Sequence, residues 1–429
     1  MGIRGSIMAF QSPKGTKDVL PDEQPTWNFV EETARKIVRL YGYGRLDLPV
    51  FEETALYQRG VGAGTDIVEK EMYTFEDKGG TLLTLRPEFT AGVMRAYLEN
   101  GMAQWPRPVK VWSIGPVFRY ERPQAGRYRQ HTQFNVEAIG EQDPALDFEI
   151  MSVAYHLYRE LGFRNLAFQI NSIGCPKCRP AYLEKLAVYY KSRIDAACED
   201  CKKRLAKNPL RLLDCKNPVC QPAIDRAPAI SESLCSECAE HFSTLRQYLD
   251  DLRLPVTLNH RLVRGLDYYT KTVFEVWAEG IGAQNAVCGG GRYDGLAAAI
   301  GGSSTPGVGF ASGIERIVLT LKHQALGGMP VPGPLVYIAH LGKAAERKAV
   351  ELLSTLRSSG VEAVMGFGDR SFKAQMREAN TRGARFVALI GESEMAEGVV
   401  QLKSMKDGSQ TSVQWDALAA HFRNPESTA

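Results

Sequence analysis

The segment between residues 115 and 140 constrains the fold more than any other part of the chain, because polar and apolar side chains alternate along its second half. Successive side chains of a β-strand point to opposite faces of a sheet, so Gln133, Asn135 and Glu137 share one face. The other face carries Phe134, Val136 and Ala138. We therefore predict a strand with a polar, partly acidic face that backs onto an apolar one.

Arginines flank the turn that precedes this strand. They are Arg119, Arg122, Arg127 and Arg129. Guanidinium groups grip phosphate or carboxylate oxygens with two parallel hydrogen bonds, so the cluster suits an anion-binding site. A solvated basic hairpin would carry the same residues, and the segment alone leaves both interpretations open.

Further motifs lie on both sides of this segment. They are RPEFT at residues 86–90, RGLDYY at 264–269, GGGRYDGL at 289–296 and GVGFASGIER at 307–316. Together they resemble the signature motifs of class II aminoacyl-tRNA synthetases. RGLDYY and GGGRYDGL are similar to the histidine-specific branch of that class, the histidyl-tRNA synthetases. The resemblance extends over residues 10–422.

The resemblance implies an α+β fold in two parts. Residues 10–330 would form a class II synthetase catalytic domain built on an antiparallel sheet, interrupted by a helical, cysteine-rich insertion at residues 173–254. Residues 331–429 would form a C-terminal α/β anticodon-binding domain. Three prolines and one glycine within residues 330–334 are typical of a linker between two such parts.

The resemblance also implies the reaction. A histidine–tRNA ligase activates L-histidine with ATP and Mg²⁺ to histidyl-adenylate, and then transfers histidine to the 3′ end of tRNA(His). Family members form homodimers, and a short strand that we predict at residues 45–51 resembles the class II motif at the dimer contact. Its Pro49 cannot donate a ladder hydrogen bond, which favours an edge or an interface.

The resemblance assigns nucleotide-binding roles to individual residues. Arg119 would contact the α-phosphate and the amino acid carboxylate, and Arg316 would lie on the γ-phosphate side. Glu121 would lie near the adenine, and Arg127 in the loop over the nucleotide. Arg264 would stand beside the α-phosphate, where other class II enzymes use a metal. Arg119 and Arg264 are therefore the expected catalytic residues.

Residues from several of these motifs would bind histidine. The expected set is Glu88, Phe89, Thr90, Arg119, Gln133, Glu137, Arg264, Tyr268 and Tyr269. Carboxylates suit the ammonium group and an aromatic wall suits the ring, and we expect Glu137 to orient a ring nitrogen. One departure concerns the residues before Gln133. The family commonly has Phe-His there, whereas this chain has His131 and Thr132, whose roles stay open.

Eight of the nine cysteines lie between residues 175 and 238. They form the pairs Cys175 and Cys178, Cys198 and Cys201, Cys215 and Cys220, and Cys235 and Cys238. The first two pairs are 19 residues apart, a spacing that matches a tetrahedral zinc site, so these four cysteines are our candidate ligands for structural Zn²⁺. Four pairs combine into two sites in three ways, and the sequence does not choose. An insertion packed by reduced, buried cysteines is the alternative.

Local patterns predict several elements. Helical spacing indicates a helix over residues 26–40, and Asp143 followed by Pro144 is typical of a helix start. Strands are predicted at 272–277 and 286–288, with a turn at the glycines 289–291. Beyond residue 334, strands at 335–339, 361–364 and 385–390 alternate with helices at 344–358 and 372–382, which indicates a parallel sheet.

Composition excludes several classes of protein. Hydrophobic residues make up 44% and charged residues 24% of the 429 residues, as in ordinary globular proteins. No apolar run approaches the roughly 20 residues that cross a bilayer, so we expect a cytoplasmic protein with no membrane partner. No GKT or GKS occurs, which excludes a P-loop. The net charge of +3 is mild, so RNA would be met by local basic patches.

Two other functions compete with tRNA charging. The regulatory subunit of ATP phosphoribosyltransferase is a synthetase-like protein that binds histidine, but it typically lacks the anticodon-binding domain. It also has eroded motifs, whereas this chain keeps Arg119, Arg264 and Arg316. A non-catalytic RNA-binding protein would not require the acidic Glu88 and Glu137. The motifs therefore favour the ligase.

Overall fold

The computed structural model describes residues 10–278, 286–326 and 331–423. The chain divides into two compact units, Met1–Gly328 and Met329–Ala429. Each unit buries apolar side chains around a sheet of its own. None of the described helices is both long enough and apolar enough to span a membrane.

The first unit contains two sheets. Their strands are β1 (Gly44–Arg45), β2 (Phe51–Glu53), β3 (Tyr73–Glu76), β4 (Leu82–Leu85), β5 (Val109–Phe118), β6 (Gln130–Ile139), β7 (Ala167–Ser172), β8 (Val256–Leu258), β9 (Thr270–Trp277), β10 (Ala286–Arg292) and β11 (Gly307–Gly313). The large sheet has eight strands in the order β1-β5-β6-β11-β10-β9-β7-β8, and the small sheet has the order β2-β4-β3.

The large sheet is antiparallel through its centre. Every neighbouring pair from β5 to β7 runs antiparallel. The two short strands at its edges, β1 and β8, run parallel to their neighbours. The predicted antiparallel sheet is therefore confirmed.

Ten α-helices accompany these sheets in the described part of the first unit. They are α1 (Gln24–Leu40), α2 (Thr54–Tyr57), α3 (Thr90–Glu99), α4 (Pro144–Glu160), α5 (Arg179–Lys191), α6 (Glu199–Lys207), α7 (Gln221–Asp225), α8 (Ser236–Asp251), α9 (Leu296–Ala299) and α10 (Ile314–His323). Helices α5 to α8, with short 3₁₀ turns between them, fill the chain between β7 and β8. The prediction of a helical insertion is confirmed.

One face of the large sheet is covered by α1, α4 and α10. Their Val30, Ile150 and Ile317 are fully buried in one core with Phe134 and Val136 of β6. The polar residues that alternate with Phe134 and Val136 lie on the opposite face. The predicted alternation is confirmed, and the sheet separates an apolar core from a polar, largely buried surface.

Helix α4 begins where the sequence predicts. The Oδ1 atom of Asp143 accepts a hydrogen bond of 2.8 Å from the backbone N–H of Ala145, and Pro144 occupies the first turn. A side-chain cap satisfies one of the donors that a helix start leaves without an intrahelical partner, and the fixed φ of proline suits this position.

The strand predicted at residues 45–51 is wrong in its extent. Strand β1 ends at Arg45 on the edge of the large sheet, and β2 begins at Phe51 on the edge of the small sheet. Leu46 still donates from its backbone N–H to the carbonyl of Trp112 on β5 at 2.9 Å, but the carbonyls that follow accept from a side chain. Arg86 Nη1 donates to the carbonyl oxygens of Leu48 and Pro49 at 2.8 Å and 3.0 Å.

The turn predicted at Gly289–Gly291 is wrong, because these glycines continue strand β10. A side chain at Gly290 would overlap the backbone oxygen of Gly309, and one at Gly289 would overlap the guanidinium of Arg264. Glycine is required here because neighbouring groups approach the strand closely, and not because the chain changes direction.

The second unit is an α/β domain with a mixed sheet. Its strands are β12 (Val336–His340), β13 (Ala363–Met365), β14 (Phe386–Ile390), β15 (Val399–Ser404) and β16 (Gln410–Gln414), and its helices are α11 (Lys343–Ser358), α12 (Phe372–Thr381), α13 (Glu392–Glu397) and α14 (Leu418–Arg423). The sheet order is β13-β12-β14-β15-β16.

The sequence predicts part of this sheet. Strands β13, β12 and β14 are parallel as predicted, but β15 and β16 add an antiparallel hairpin that makes the sheet mixed. Asp407 and Gly408 lie in the hairpin turn, where Gly408 has a φ of 77°. An Asp-Gly pair between two short strands is a strong hairpin signal, and it could have corrected the prediction.

A fully buried ion pair ties the large sheet to α4. The side chains of Arg292 on β10 and Asp147 on α4 are 0% exposed, and Arg292 Nη2 lies 2.6 Å from Asp147 Oδ2. His241 of α8 contacts the other carboxylate oxygen at 3.2 Å. Burial alone would raise the pKa of Asp147, but the charge of Arg292 and the hydrogen bond with His241 outweigh it and lower the pKa.

Asp147→Ala should lower the free energy of unfolding by about 3–5 kcal/mol, because the buried guanidinium of Arg292 loses its fully buried counter-charge and keeps only Asp294 at 3.3 Å. The control is Lys36→Ala, which removes an ion pair with Glu160 whose two side chains are 61% and 45% exposed. That change should cost about 0–1 kcal/mol. Urea denaturation of both variants measures the difference, and equal costs would contradict the role of the buried pair.

Candidate active site

A cavity of about 1110 Å³ opens on the polar face of the large sheet. Residues of β6, β9, β10 and β11 line it, together with the 264–269 segment and the insertion. Ten of the predicted site residues line this cavity: Glu88, Thr90, Arg119, Glu121, Arg127, Gln133, Arg264, Tyr268, Tyr269 and Arg316. Motifs that are far apart in the chain therefore meet at one place.

Phe89 is not part of the cavity wall. Its side chain is 1% exposed and belongs to a hydrophobic core with Met94 and Tyr97 of α3. The guanidinium of Arg86 lies 4.3 Å from the centre of its ring. Phe89 therefore lies in the core, whereas its neighbours Glu88 and Thr90 face the cavity.

Glu137 lies beneath the wall, where it is 1% exposed. Its Oε1 atom accepts hydrogen bonds from Thr90 Oγ1 at 2.6 Å and from Asn135 Nδ2 at 3.1 Å. Its Oε2 atom accepts one from the Tyr293 hydroxyl at 2.6 Å. A carboxylate oxygen accepts about two hydrogen bonds, so Oε2 retains capacity for one further donor.

Burial raises the pKa of Glu137 to about 7, while the hydrogen bonds from Thr90, Tyr293 and Asn135 favour the ionised form. The raised pKa means that this carboxyl is protonated as the pH falls below 7. Its charge therefore changes within the physiological pH range.

Gly309 leaves the space that Glu137 occupies. The two residues are directly opposite each other on β11 and β6. A Cβ atom at Gly309 would coincide with the Glu137 carboxylate and would lie 2.5 Å from the carbonyl oxygen of Val136. Gly309 also lines the cavity. Because it has no side chain, the Glu137 carboxylate lies close to the cavity surface.

Glu88 caps helix α3. Its Oε2 and Oε1 atoms accept hydrogen bonds from the backbone N–H groups of Thr90 at 2.6 Å and Ala91 at 2.9 Å. Burial raises the pKa of Glu88, against the effect of these two donors. A carboxylate at a helix start also interacts favourably with the helix dipole. Glu88 therefore has a structural role in addition to its position in the cavity wall.

Tyrosines form an aromatic wall. The ring centres of Tyr268 and Tyr269 are 4.7 Å apart, and Tyr293 packs edge-on against Tyr268 at 6.0 Å. Tyr293 is a further residue of the site that was not predicted, although it lies in the GGGRYDGL motif. Its hydroxyl links the aromatic wall to the buried carboxylate of Glu137.

Arg264 forms an ion pair with Glu275 of β9. Glu275 also accepts a hydrogen bond of 3.0 Å from Trp277 Nε1, so its carboxylate is held from both sides. Glu275 and Trp277 are further residues of the site that were not predicted. The sequence does contain a signal for Glu275, because this acidic residue lies within a strand that is otherwise rich in β-branched and aromatic residues.

Two arginines and a glutamate form the basic side of the cavity. Arg119 Nε donates to the carbonyl of Pro87 at 2.8 Å, and its terminal nitrogens have no hydrogen-bond partner among the residues that the structure describes. Arg127 forms an ion pair with Glu121 at 3.1 Å. Guanidinium groups in this arrangement suit phosphate oxygens.

Arg316 connects helix α10 to the arginine-rich loop. Its Nε atom donates to the carbonyl of Gly126 at 3.2 Å, and its Nη1 atom donates to the carbonyl of Ala286. Burial lowers the pKa of Arg316, and the nearby charge of Arg127 lowers it further. These contacts fix a cation next to the loop that carries Arg127.

Of the two residues that depart from the family pattern, His131 lines the cavity. Burial lowers the pKa of His131 to about 3, and the charge of Arg119 adds to the effect, so the ring is neutral at pH 7. The backbone N–H of Thr132 donates to Glu315 Oε1 at 2.8 Å. Burial raises the pKa of Glu315 to about 7. The main chain of Thr132, and not its side chain, makes this contact.

Several buried polar atoms of the wall have no hydrogen-bond partner among the described residues. They are His131 Nδ1, Gln133 Oε1, Arg264 Nε and Glu315 Oε2. A buried polar atom without a partner costs about 1–3 kcal/mol, so native proteins keep few of them. Such a group of donors and acceptors indicates a surface that binds a polar ligand.

The cysteines of the insertion form two separate clusters, and the candidate set of Cys175, Cys178, Cys198 and Cys201 is wrong. Cluster A consists of Cys175, Cys178, Cys235 and Cys238. Cluster B consists of Cys198, Cys201, Cys215 and Cys220. The structure therefore selects one of the three pairings that the sequence leaves open. Spacing along the chain could not decide, because helices α5 to α8 determine which pairs meet.

The sulfur atoms in both clusters are closely and evenly spaced. In cluster A the Sγ atom of Cys175 lies 3.8 Å from those of Cys178 and Cys235. In cluster B the distances are 3.8 Å from Cys198 to Cys215 and 3.9 Å from Cys220 to Cys201. Within each cluster the four sulfur atoms lie within 4.8 Å of one another, and each cluster could hold one metal ion.

Matches to known proteins extend over almost the whole part of the chain that the structure describes. The family model described as histidyl-tRNA synthetase matches residues 15–188 and 199–317. A model described as an anticodon-binding domain matches residues 335–424. A histidine–tRNA ligase from Dehalococcoides mccartyi is 49% identical over 414 residues, which are 96% of this chain and 99% of that protein.

Solved structures agree. The crystal structure of apo S. aureus histidyl-tRNA synthetase has a TM-score of 0.81 and 36% sequence identity, and the match covers 97% of this chain and 100% of that one. A protein described as an ATP phosphoribosyltransferase regulatory subunit/histidyl-tRNA synthetase from Bacillus halodurans has a TM-score of 0.62 at 20% identity. The second similarity shows the fold alone. The class II synthetase fold is thereby confirmed.

Gly309→Ala should lower the free energy of unfolding by about 1–3 kcal/mol, because the new methyl group must displace the Glu137 carboxylate or the backbone of β6. The control is Gly295→Ala, at a position where nothing lies within 4 Å of the added carbon. That change should stay within about 0.5 kcal/mol of the wild type. Urea denaturation distinguishes them, and a neutral Gly309→Ala would mean that Glu137 does not need this space.

Proposed function

The chain belongs to the histidyl-tRNA synthetase family, and from this premise we propose that it is a histidine–tRNA ligase. In the first step a carboxylate oxygen of histidine attacks the α-phosphorus of ATP, and pyrophosphate leaves. In the second step a hydroxyl of the terminal ribose of tRNA(His) attacks the acyl carbon, and AMP leaves. The supporting observation is that the cations Arg119, Arg264 and Arg316 and the acidic Glu88 line one cavity, with Glu137 beneath its wall.

Arg119 and Arg264 are the proposed catalytic residues. Negative charge develops on the α-phosphate oxygens as histidine attacks, and fixed cations at that position stabilise the transition state. The ion pair with Glu275 holds Arg264 in place before a substrate arrives. Fixed charges of this kind require little reorganisation during the reaction.

The imidazole of histidine is proposed to bind over Glu137 and Gln133. Glu137 Oε2 can accept one further hydrogen bond, and Gln133 Oε1 has no partner among the described residues, so both suit a ring N–H donor. Tyr268 and Tyr269 provide the aromatic wall. Glu88 and Thr90 are proposed to contact the amino end of histidine. An amino acid whose side chain lacks such a donor would leave these buried acceptors without a partner. That cost would make the site specific for histidine.

The nucleotide is proposed to bind along the basic side of the cavity. Arg316 would contact the γ-phosphate, Glu121 would lie close to the adenine, and Arg127 would lie in the loop over the nucleotide. We propose that Mg²⁺ enters with ATP as part of the substrate. Oxygen ligands suit Mg²⁺, and the Oε2 atom of Glu315 beside Arg316 has no partner in the described residues.

A homodimer is proposed through the small sheet and the residues before it. Large apolar side chains are exposed there: Val50 is 39%, Phe51 50%, Phe75 43% and Leu82 55% exposed. Exposed apolar side chains that lie close together often mark protein interfaces.

The second unit is proposed to bind tRNA(His), because it matches the anticodon-binding domain. We propose a cytoplasmic location, where tRNA is charged.

Each cysteine cluster is proposed to hold one structural Zn²⁺. Four thiolates at about 2.3 Å from zinc form a tetrahedron with edges of about 3.8 Å. The sulfur distances of 3.8 Å and 3.9 Å in both clusters match that edge. Backbone N–H groups of Cys198 and Asn217 also lie 3.4 Å from cluster B sulfur atoms, and such donors favour the thiolate form.

The regulatory subunit of ATP phosphoribosyltransferase is not favoured as an alternative. The chain contains a C-terminal unit that matches the anticodon-binding domain, and its cavity retains Arg119, Arg264 and Arg316. A protein that only senses histidine has no use for three cations at the α- and γ-phosphate positions.

Arg264→His should slow histidyl-adenylate formation by on the order of 10²–10³-fold, the usual effect of removing one group that stabilises developing charge. The affinity for histidine should change less, because this contact strengthens as charge develops in the transition state. Rapid-quench measurement of adenylate, with purified tRNA(His) charging as a second readout, tests both statements.

The control is Arg35→His on α1, where the arginine side chain is 46% exposed and pairs with Glu31 at the protein surface. It should form adenylate at the wild-type rate. A wild-type protein that forms no histidyl-adenylate would refute the proposed function. A wild-type rate in Arg264→His would remove only the proposed role of Arg264.

A further inference from the structure

The segment from residue 264 to residue 271 lies between the two cysteine clusters. It carries Arg264, Tyr268 and Tyr269 of the cavity wall and continues into β9. It contains no helix, and only its last two residues belong to a strand. Its position therefore depends on contacts with neighbouring parts of the chain.

Cluster B contacts the segment from one side. Asn208 and Arg211 lie between the ligands Cys201 and Cys215. Asn208 Nδ2 donates to Asp267 Oδ1 at 3.1 Å. The guanidinium of Arg211 lies 3.1 Å from the position that a Cβ atom at Gly265 would take.

Arg211 also connects the segment to the opposite wall of the cavity. Its Nη2 atom donates to Asp66 Oδ2 at 3.1 Å, and its side chain is 17% exposed. A second connection uses Gln221, whose Nε2 donates to the carbonyl of Cys215 at 2.7 Å and whose Oε1 accepts from Arg261. The connection through Gln221 begins at the cluster B residue Cys215 and ends at Arg261, three residues before Arg264.

Cluster A contacts the segment from the other side. Arg179, which follows the ligand Cys178, donates from Nη2 to the carbonyl of Tyr269 at 2.6 Å. The backbone N–H of Lys271 donates to the carbonyl of Gly174 at 2.8 Å, next to the ligand Cys175. Each end of the segment is thus fixed by residues that adjoin a cluster.

The chain that makes these contacts has little regular structure of its own. Between Cys201 and Cys215 it contains the end of the nine-residue helix α6 and the 3₁₀ turn Pro209–Leu212. Helices this short are unstable in isolation. A metal ion that joins Cys198, Cys201, Cys215 and Cys220 would fix such a segment, because metal binding supplies folding free energy.

We propose that the metal ions of clusters A and B position the histidine-binding segment 264–271, and that Asn208, Arg211 and Arg179 are the positioning residues that transmit this order. The proposal rests on the proposed function, because it assigns histidine to this cavity. Zinc bound in the insertion thereby controls the shape of the amino acid site without contacting a substrate.

Hydrogen–deuterium exchange tests the structural part without any activity assay. The full-length protein should contain two zinc ions per chain, one for each cluster. Removing zinc with a chelator should accelerate exchange of the amides of Asp267 and Lys271, which donate to Val61 and Gly174. Exchange in β12 of the second unit is the control and should not change, and added zinc should restore protection.

Steady-state pyrophosphate exchange tests the functional part. Arg211→Ala should keep both zinc ions and raise the KM for histidine about tenfold, as expected for one lost charge-assisted hydrogen bond. The KM for ATP should change much less. The control is Arg193→Ala in the same insertion, whose guanidinium stacks on Tyr189 away from the segment. Cys201→Ser should lose one zinc ion and raise the KM for histidine at least as much.

The outcomes separate the two proposals. A protein without zinc, or one whose 264–271 amides exchange equally with and without zinc, would overturn the inference whatever the enzyme does. Equal changes in the KM for histidine and for ATP in Arg211→Ala would overturn the role of that residue, because a general structural defect affects both substrates. Absence of histidine-dependent exchange in the wild type would refute the proposed function instead.

Discussion

The buried carboxylate of Glu137 joins the elements that build the site. Thr90 reaches it from the start of α3, Asn135 from its own strand and Tyr293 from the residue after β10, while Gly309 of β11 leaves the space that it fills. A buried carboxyl without hydrogen bonds would cost several kcal/mol. Its three donors therefore require the strands and α3 to be in register, and the same network leaves one acceptor for a ligand.

The cavity wall carries charges of both signs. The acidic Glu88 and the aromatic Tyr268 line it together with Arg119, Arg127 and Arg316. Two of the arginines have acidic partners. Arg264 pairs with Glu275, and Arg292 pairs with Asp147 below the sheet. Each of these two guanidinium groups is thus held beside a carboxylate.

The sequence predicted the parts of this arrangement that follow from local patterns or recognised motifs. The alternation from Gln133 to Glu137 predicted which side chains face the cavity side, and the order of the motifs predicted the fold. It did not predict the partners of Glu137 and Arg264, the grouping of the cysteines or the burial of Phe89. Each of these depends on contacts between residues far apart in the chain. Gly289–Gly291 was misjudged for the same reason, since the groups that require glycine lie on other elements.

The pH dependence of histidine affinity tests the central role of Glu137 most directly. Burial holds its pKa at about 7, above its ordinary value, so the carboxyl gains a proton as the pH falls below 7. Binding that needs the carboxylate should then weaken by up to about tenfold per pH unit for one proton. Calorimetry should measure the affinity for histidine of both the wild type and Glu137→Gln. The titration of free histidine affects both measurements, so it cancels in the ratio of the two affinities. The account predicts that the ratio of the two affinities shrinks as the pH falls from about 8 to 6, and a ratio independent of pH would contradict it.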